Sequence, residues 1–178
     1  MYKPPFSRRH ADLQWRILQG GVATNSFLSV LNPAVEDGCP FCGVRETLFH
    51  VFRDCPRLLP LFVLLRTLFS GCGQVFSQQV FILGFRYNRR TKASCRLLNF
   101  VLGTAKMAVY VSRRRKVSED RDVDPRLLLV NMLKARLLLE FHFYAHNGDW
   151  SAFQQVWCAD GVLCSVEDGT LLFSPLLA

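Results

Sequence analysis

The stretch that decides how this chain is organised is Cys39-Pro40-Phe41-Cys42, followed by His50 and Cys55. Its spacing is C-x2-C-x7-H-x4-C, so four side chains that can bind a soft cation fall within seventeen positions. Two cysteines separated by two residues can offer both sulfurs from one tight turn, and Gly43 can adopt the left-handed backbone that such a turn needs. No other stretch of the 178 residues has a comparable density of metal-binding side chains.

These four residues predict a structural zinc site. Zinc prefers four tetrahedral ligands, and three thiolates with one imidazole are a common set. We expect residues 46–52 to form a helix that carries His50. On a continuous helix Cys55 would lie about 140° around from His50, but the residue before a proline is displaced from helical angles, and Pro56 lets Cys55 turn back. A complete set of four ligands predicts no open position for catalysis by the metal. The predicted ligands are Cys39, Cys42, His50 and Cys55.

Two other uses of the cluster stay open from the sequence. Its members could be ordinary buried cysteines beside a core histidine, or Cys39 and Cys42 could form a thioredoxin-like redox pair. Four residues at finger-like spacing favour a metal, and no β-α-β pattern surrounds the pair. A metal site also predicts a small apolar core around it, formed by Phe41, Leu48, Phe49 and Phe52.

Composition favours an anionic partner and a reduced compartment. The chain has 22 Lys and Arg against 14 Asp and Glu, a net charge of +8, which is typical of proteins that bind nucleic acid or an anionic surface. The seven cysteines are an odd number, and the first ten residues lack the apolar core of a signal peptide. We therefore expect an intracellular protein that is not secreted. No run approaches the roughly 20 apolar residues of a membrane helix, so we expect no membrane association.

Apolar residues at helical spacing predict a mainly α fold, a small multi-helix domain with the zinc knuckle embedded in it and a short C-terminal β-hairpin. Predicted helices span residues 7–18, 24–31, 57–69, 92–116, 125–146 and 149–156. The second should turn Phe27, Leu28 and Leu31 inward, and the third should be buried on most sides. Residues 75–85 fit a short helix or a strand. Residues 161–174 alternate around Glu167-Asp168-Gly169, which is a hairpin signal.

The length fits one domain, or one domain with a small appendage. Along the chain we distinguish five segments. They are a helical segment at residues 1–38, the Cys3His zinc knuckle at 39–56, a basic helical body at 57–117, an acidic linker at 118–124, and C-terminal helices with the hairpin at 125–178.

A long basic stretch follows the cluster. Between Asp54 and Glu119 there is no acidic residue, and the same interval holds twelve Lys and Arg. Arginines bind phosphates, and a neighbouring tyrosine can stack on an unpaired base. The alternative is a solvated basic face that ends in cations suited to a helix C-terminus. The residues expected to bind nucleic acid are Arg86, Tyr87, Arg89, Arg90, Lys92, Arg113, Arg114, Arg115 and Lys116.

Further segments accompany the cluster: DLQWRIL at 12–18, ATN at 23–25, ILGF at 82–85 and LNFVLGTAK at 98–106. Together with the Cys/His motif they resemble the zinc-binding region that follows the reverse transcriptase domain in non-LTR (LINE-type) retrotransposon polyproteins. The resemblance covers nearly the whole chain. It implies structural Zn²⁺ on Cys39, Cys42, His50 and Cys55, contact with RNA and target DNA, an upstream reverse transcriptase domain as partner, and a nuclear location.

The chain departs from a complete reverse transcriptase. Two-metal phosphoryl transfer needs paired aspartates, and the sequence has no Asp-Asp pair and no visible endonuclease set. We therefore expect no enzyme activity. Two functions stay open: a zinc-stabilised nucleic-acid-binding module, or a structural or protein-interaction appendage that zinc folds.

The remaining candidate side chains point to packing and surface roles. His142 and His146 could share a helix face, as metal ligands do, but no third ligand is evident, so we expect them at an interface or at the surface. Residues 127–143 are either core or a docking face for the polymerase. Four further cysteines are expected to be small core residues, namely Cys72, Cys95, Cys158 and Cys164.

Overall fold

The fold follows from apolar periodicity that repeats along most of the chain. The computed structural model describes residues 7–85 and 92–177. Its helices within those ranges are α1 (Arg8–Leu18), α2 (Asn25–Leu31), α3 (Leu59–Gly71), α4 (Gln78–Leu83), α5 (Lys92–Glu119), α6 (Pro125–His146) and α7 (Trp150–Trp157). A π-helical turn (His50–Asp54) and a 3-10 turn (Pro56–Leu58) lie between α2 and α3. The mainly α fold predicted from the sequence is confirmed.

Helix α5 is the central element of the fold. It packs against α1, α6 and α7, and it contacts the π-helical turn. Its buried residues recur at offsets of three and four, as in Leu98, Val101, Leu102 and Ala105. The buried side chains form one cluster that also includes Cys39 and Cys55. The stretch that carries the four predicted ligands therefore shares its core with the helical body. The boundaries of the five predicted segments stay a prediction, and α5 continues into the predicted acidic linker as far as Glu119.

Side chains cap the starts of α1 and α6. The Ser7 side chain accepts a hydrogen bond from the His10 backbone N–H at 3.3 Å, which begins α1. Asp124 accepts from the Arg126 N–H at 2.8 Å, and Pro125 occupies the first helical position of α6. The ambiguous segment at residues 75–85 is resolved as the helix α4, which Ser77 caps.

Two expectations about helix faces are wrong. Phe27 and Leu31 of α2 were expected to point inward, but they are 54% and 68% exposed. This seven-residue helix has no buried residue and is held by polar contacts from its first turn, not by an apolar face. In α3, Leu59 and Val63 are also exposed, because the core covers only the face that carries Leu61, Leu65 and Leu68.

The C-terminal hairpin is confirmed. Strands β1 (Cys164–Glu167) and β2 (Thr170–Phe173) are antiparallel, and Glu167 pairs with Thr170 across the turn. Asp168 and Gly169 between them have φ values of +48° and +73°. Two successive left-handed residues match the right-handed twist of the strands, and Asp-Gly is a preferred pair for this turn. Within the described residues, no helix is both long enough and apolar enough to cross a membrane.

Candidate metal centre

The four predicted ligands converge in the structure. One ligand atom from each of Cys39, Cys42, His50 and Cys55 lies within 4.8 Å of every other. The Cys42 Sγ and the His50 Nε2 are 3.3 Å apart. Around a tetrahedral zinc ion with ordinary bond lengths, neighbouring ligand atoms would be about 3.5–3.8 Å apart. The four donor atoms lie close enough together that these residues could hold a metal ion.

A tight turn positions the first two cysteines. The Cys39 N–H donates to the Val44 carbonyl at 2.7 Å, and the Gly43 N–H donates back to the Cys39 carbonyl at 2.9 Å. Gly43 has φ of +74°, the left-handed conformation expected from its place after Cys42. At Gly38 a side chain would bring its Cβ to 3.0 Å from the Gly43 carbonyl oxygen. Glycines at both ends of the turn thus allow the close approach that brings the two sulfurs together.

A change of helical winding positions the other two ligands. The sequence predicts an α-helix that Cys55 leaves because of Pro56. In the structure the turn from His50 is π-helical, and the Cys55 N–H donates to the His50 carbonyl, five residues back, at 2.9 Å. A π-helical turn takes one residue more than an α-helical turn, so Cys55 returns toward His50 within the turn itself. The predicted role of Pro56 is also seen, because Cys55 has an extended ψ of 126°.

Burial and thiol chemistry favour a cation at this place. Cys39, His50 and Cys55 are buried, while Cys42 is exposed. A hydrogen bond with Cys55 lowers the pKa of Cys39 to about 4, and the same contact together with burial raises the pKa of Cys55. The pair thus stays partly protonated in the absence of a cation. Metal binding replaces such protons, since the ligand forms are thiolates and a neutral imidazole.

The apolar surroundings match the sequence prediction in three of four residues. Phe52 is fully buried, and Phe41 and Leu48 are partly buried against the core. Phe49 was expected among them but is 53% exposed. Its ring contacts the Arg53 guanidinium, which lies 4.6 Å from the ring centroid. The Arg57 guanidinium lies over the Phe41 ring at 4.2 Å.

A buried ion pair beside the cluster was not found from the sequence. Glu46 is fully buried and Arg113 is 8% exposed. The Arg113 guanidinium donates to both Glu46 carboxylate oxygens at 2.7 and 2.6 Å, and to the Asn25 side-chain oxygen at 3.0 Å. The Asn25 N–H donates to the same carboxylate at 2.7 Å. The pair joins the segment after the Cys39–Cys42 turn to α2 and α5. Its partners are 67 residues apart, so no local pattern could have indicated it.

The residues predicted to bind nucleic acid fall into three groups. Arg86, Tyr87, Arg89 and Arg90 lie outside the described residues, and the structure describes only the backbone of Lys92. Arg113 points inward to Glu46. The third group lies on the last turns of α5, where Arg114 is exposed, Arg115 is partly exposed and Lys116 pairs with Asp120 at 2.5 Å. Among the residues that the structure describes, none of those predicted to bind nucleic acid belongs to the metal cluster.

The other candidate side chains lie apart from the metal cluster. Cys95 and Cys164 are buried, while Cys72 and Cys158 are partly buried. The Cys158 and Cys164 sulfurs are 3.7 Å apart. His142 and His146 are exposed.

Comparison with known proteins finds one informative similarity. The chain is 33% identical over 168 residues, 93% of its length, to the Transposon TX1 uncharacterized 149 kDa protein of Xenopus laevis. That relative is a transposon protein. The chain spans 13% of its length. No family model matches the sequence, and no solved structure matches significantly. The similarity extends far beyond the seventeen-residue metal cluster and covers most of the chain.

Proposed function

We propose that the chain is a zinc-stabilised nucleic-acid-binding module from a non-LTR retrotransposon polyprotein. It binds RNA or target DNA next to an upstream reverse transcriptase domain, in the nucleus, and has no polymerase site of its own. The observation that carries this proposal is the convergence of three thiols and one imidazole in a chain similar, over 93% of its length, to a transposon protein.

The proposed metal is zinc in a structural role. Three sulfurs and one nitrogen are the donors that zinc favours, and four ligands complete a tetrahedral sphere. Such an ion would cross-link the turn at Cys39 and Cys42 to the π-helical turn that carries His50. Because Cys39 and Cys55 belong to the shared core, the cross-link also supports the helices packed on it.

The proposed nucleic-acid contact rests on charge. The net charge of +8 attracts a polyanion, and the end of α5 offers Arg114 and Arg115 outward. Neither guanidinium belongs to an ion pair among the described residues, so both are available to phosphates. The sequence adds the arginines at 86, 89 and 90 and Tyr87, which could stack on a base.

Metal content tests the zinc part. The chain, expressed with zinc, should contain about one zinc per molecule by elemental analysis. Cys55→Ser should lower this content, whereas Cys95→Ser removes a buried thiol outside the cluster and should leave it unchanged. If Cys55→Ser keeps both the zinc content and the fold, the metal centre is assigned wrongly.

Salt-graded binding tests the nucleic-acid part. If about six phosphates are contacted, log affinity should fall against log salt with a slope of about −4 to −5. Changing Arg114 and Arg115 to Gln should weaken binding and reduce the slope. The matched control removes the same charge from α1 and α3, with Arg9→Gln and Arg66→Gln. Binding that does not depend on salt, or equal losses in both double variants, would contradict the proposed interface.

A protein-interaction appendage is the second candidate, and exposed apolar side chains favour it. Phe27, Val30 and Leu31 are exposed on α2, and Leu139 and Phe143 are exposed on α6. These side chains could pack on the reverse transcriptase domain. Zinc would then only maintain the fold. The binding experiment separates the two functions, since an appendage of this kind would not bind nucleic acid in a salt-dependent manner.

A further inference from the structure

A groove on the side of the molecule between α1 and α5 contains a buried lysine. It has a volume of about 310 Å³, and the segment after α4 forms one wall. Side chains from three parts of the chain line it, including His10, Gln14, Leu83, Asn99 and Lys106. Lys106 is only 3% exposed, which is unusual for a residue type that is almost never fully buried unless it is paired.

Among the described residues, the ammonium group of Lys106 has only neutral hydrogen-bond partners. It donates to the side-chain oxygen of Gln14 and, at 3.1 Å, to the carbonyl of Ile82. The Gln14 amide donates to the same carbonyl at 2.9 Å, which holds the three groups together. A lysine ammonium has three N–H donors, so one has no partner within residues 7–85 and 92–177. No ion pair among residues 7–85 and 92–177 includes Lys106.

A buried positive charge without a counter-charge is costly. Burial lowers the pKa of Lys106 to about 8, so at neutral pH the group is still mostly charged. Buried charges in proteins are normally paired. An anion in the groove would supply the missing negative charge and accept the remaining N–H.

A second side chain with an unpartnered nitrogen lines the same groove. Nδ1 of His10 is buried and has no hydrogen-bond partner among the described residues. His10 and Gln14 are four residues apart on α1, so both lie on the same face of that helix. Gly103 of α5 also lines the groove and lies beside His10, since a Cβ at position 103 would be at an ordinary contact distance of 3.5 Å from this side chain.

We propose that this groove binds a phosphate group through Lys106, with Gln14 and His10 as additional donors. Several donors on two helices suit an anion with several oxygens. The phosphate comes either from a nucleic-acid backbone, a source that rests on the proposed function, or from a free phosphate ion. The groove lies away from the metal cluster and is made from residues that the proposed zinc centre does not use.

The test is an NMR titration of the zinc-loaded chain with inorganic phosphate, at constant ionic strength and without free zinc. Phosphate should shift the Gln14 side-chain amide and the Gly103 backbone amide in the wild type. Lys106→Met should weaken binding at least tenfold, because it removes the charge and keeps the length of the side chain. Lys134→Met, which removes a lysine from α6, should bind phosphate as the wild type does.

Two results would overturn the site: no shift at Gln14 and Gly103 in the wild type, or equal phosphate affinity with and without the Lys106 ammonium. The first result needs no variant, so it decides the question even if Lys106→Met does not fold. A short single-stranded RNA without terminal phosphates distinguishes the sources. Displacement of phosphate by this RNA supports the backbone source, and binding of inorganic phosphate alone supports the free ion. If inorganic phosphate binds but no RNA binds at all, the proposed function is overturned, whereas the phosphate site in the groove stands.

Discussion

At the scale of single residues, Glu46 and Arg113 have the clearest energetic role. Both oxygens of the carboxylate are used by one guanidinium, a geometry that is stronger and more specific than a single hydrogen bond. Removal of one partner leaves the other charge buried without compensation, which typically costs about 3–5 kcal/mol. The Arg113 guanidinium therefore stabilises the fold and is not exposed at the candidate nucleic-acid interface.

Arg113→Met should lower the free energy of unfolding by about 3–5 kcal/mol, because Glu46 loses its counter-charge. Arg114→Met removes the same group one position further, where the side chain is exposed, and should change the free energy by less than about 0.5 kcal/mol. Urea unfolding of both variants measures the difference. Similar changes in the free energy of unfolding from the two substitutions would show that the buried ion pair contributes no more stability than an exposed arginine.

Lys106 predicts a dependence of stability on pH. Burial lowers its pKa from 10.5 to about 8 in the folded chain. Between these values the unfolded chain binds a proton that the folded chain does not, so stability rises with pH in this window. Below pH 8 Lys106 is charged in the folded chain, and the free-energy cost of burying this charge is fully present. Between pH 8 and pH 10.5 the folded chain loses the proton, which raises the free energy of unfolding by about 3 kcal/mol at most.

This dependence is measured as a difference. The free energy of unfolding of the wild type, relative to Lys106→Met, should increase between pH 8 and pH 10.5. Thiols titrate in the same window but are common to both proteins. The pKa of the neighbouring His10 is lowered from 6.5, so its titration falls below the window. A constant difference across the window would mean that Lys106 is not buried as a charge.

At the scale of elements, the π-helical turn determines the ligand geometry. It adds one residue to the turn between His50 and Cys55, and Pro56 then keeps Cys55 in an extended conformation. Turns of this kind occur frequently at functional sites. The number of residues in the turn is therefore expected to matter more than their side chains.

Insertion of one alanine after Arg53 should weaken cobalt(II) binding at least tenfold, because Cys55 would rotate away from His50. The absorption of the cobalt–thiolate complex measures binding. The same insertion after Asp120, in the exposed segment between α5 and α6, is the length control. Arg53→Ala keeps the length of the turn and should bind cobalt normally. Normal binding by the first insertion variant would contradict the geometric role of the turn.

At the scale of the whole molecule, the metal cluster and the helices share one core. Cys39, Cys55 and Phe52 belong to the same buried cluster as the inner faces of α3, α5 and α6. Structural zinc sites contribute directly to folding free energy, with apparent values of about 10–16 kcal/mol in zinc-finger peptides. Loss of the metal should therefore destabilise the helices as well as the zinc knuckle.

Chelation of the metal should lower the melting temperature of the entire chain by at least about 10 °C, since each kcal/mol shifts the midpoint of a chain of this size by about 2–4 °C. Far-UV and near-UV circular dichroism should report one coincident transition with and without chelator. Restored zinc should restore the midpoint. An unchanged main transition with only a local change near the knuckle would instead support independent segments.

Much of the fold depends on information that lies within a few residues. Apolar periodicity determines where α1, α5 and α6 run, because burial of one helix face is the main source of helix stability in proteins. The cap at Asp124 and the Asp168-Gly169 turn follow from local backbone preferences. The spacing of Cys39, Cys42, His50 and Cys55 likewise determined the four candidate ligands, since two short turns contain all of them.

Only the tertiary structure decided which charges are paired and which apolar residues are covered. The interval between Asp54 and Glu119 lacks acids, yet Arg57 pairs with Asp122 and Arg113 pairs with Glu46, 65 and 67 residues away. The exposure of Phe27 and Leu31 and the burial of Lys106 depend in the same way on distant segments. Local backbone preferences act between sequence neighbours, whereas desolvation and ion pairing depend on whichever residues the fold brings together.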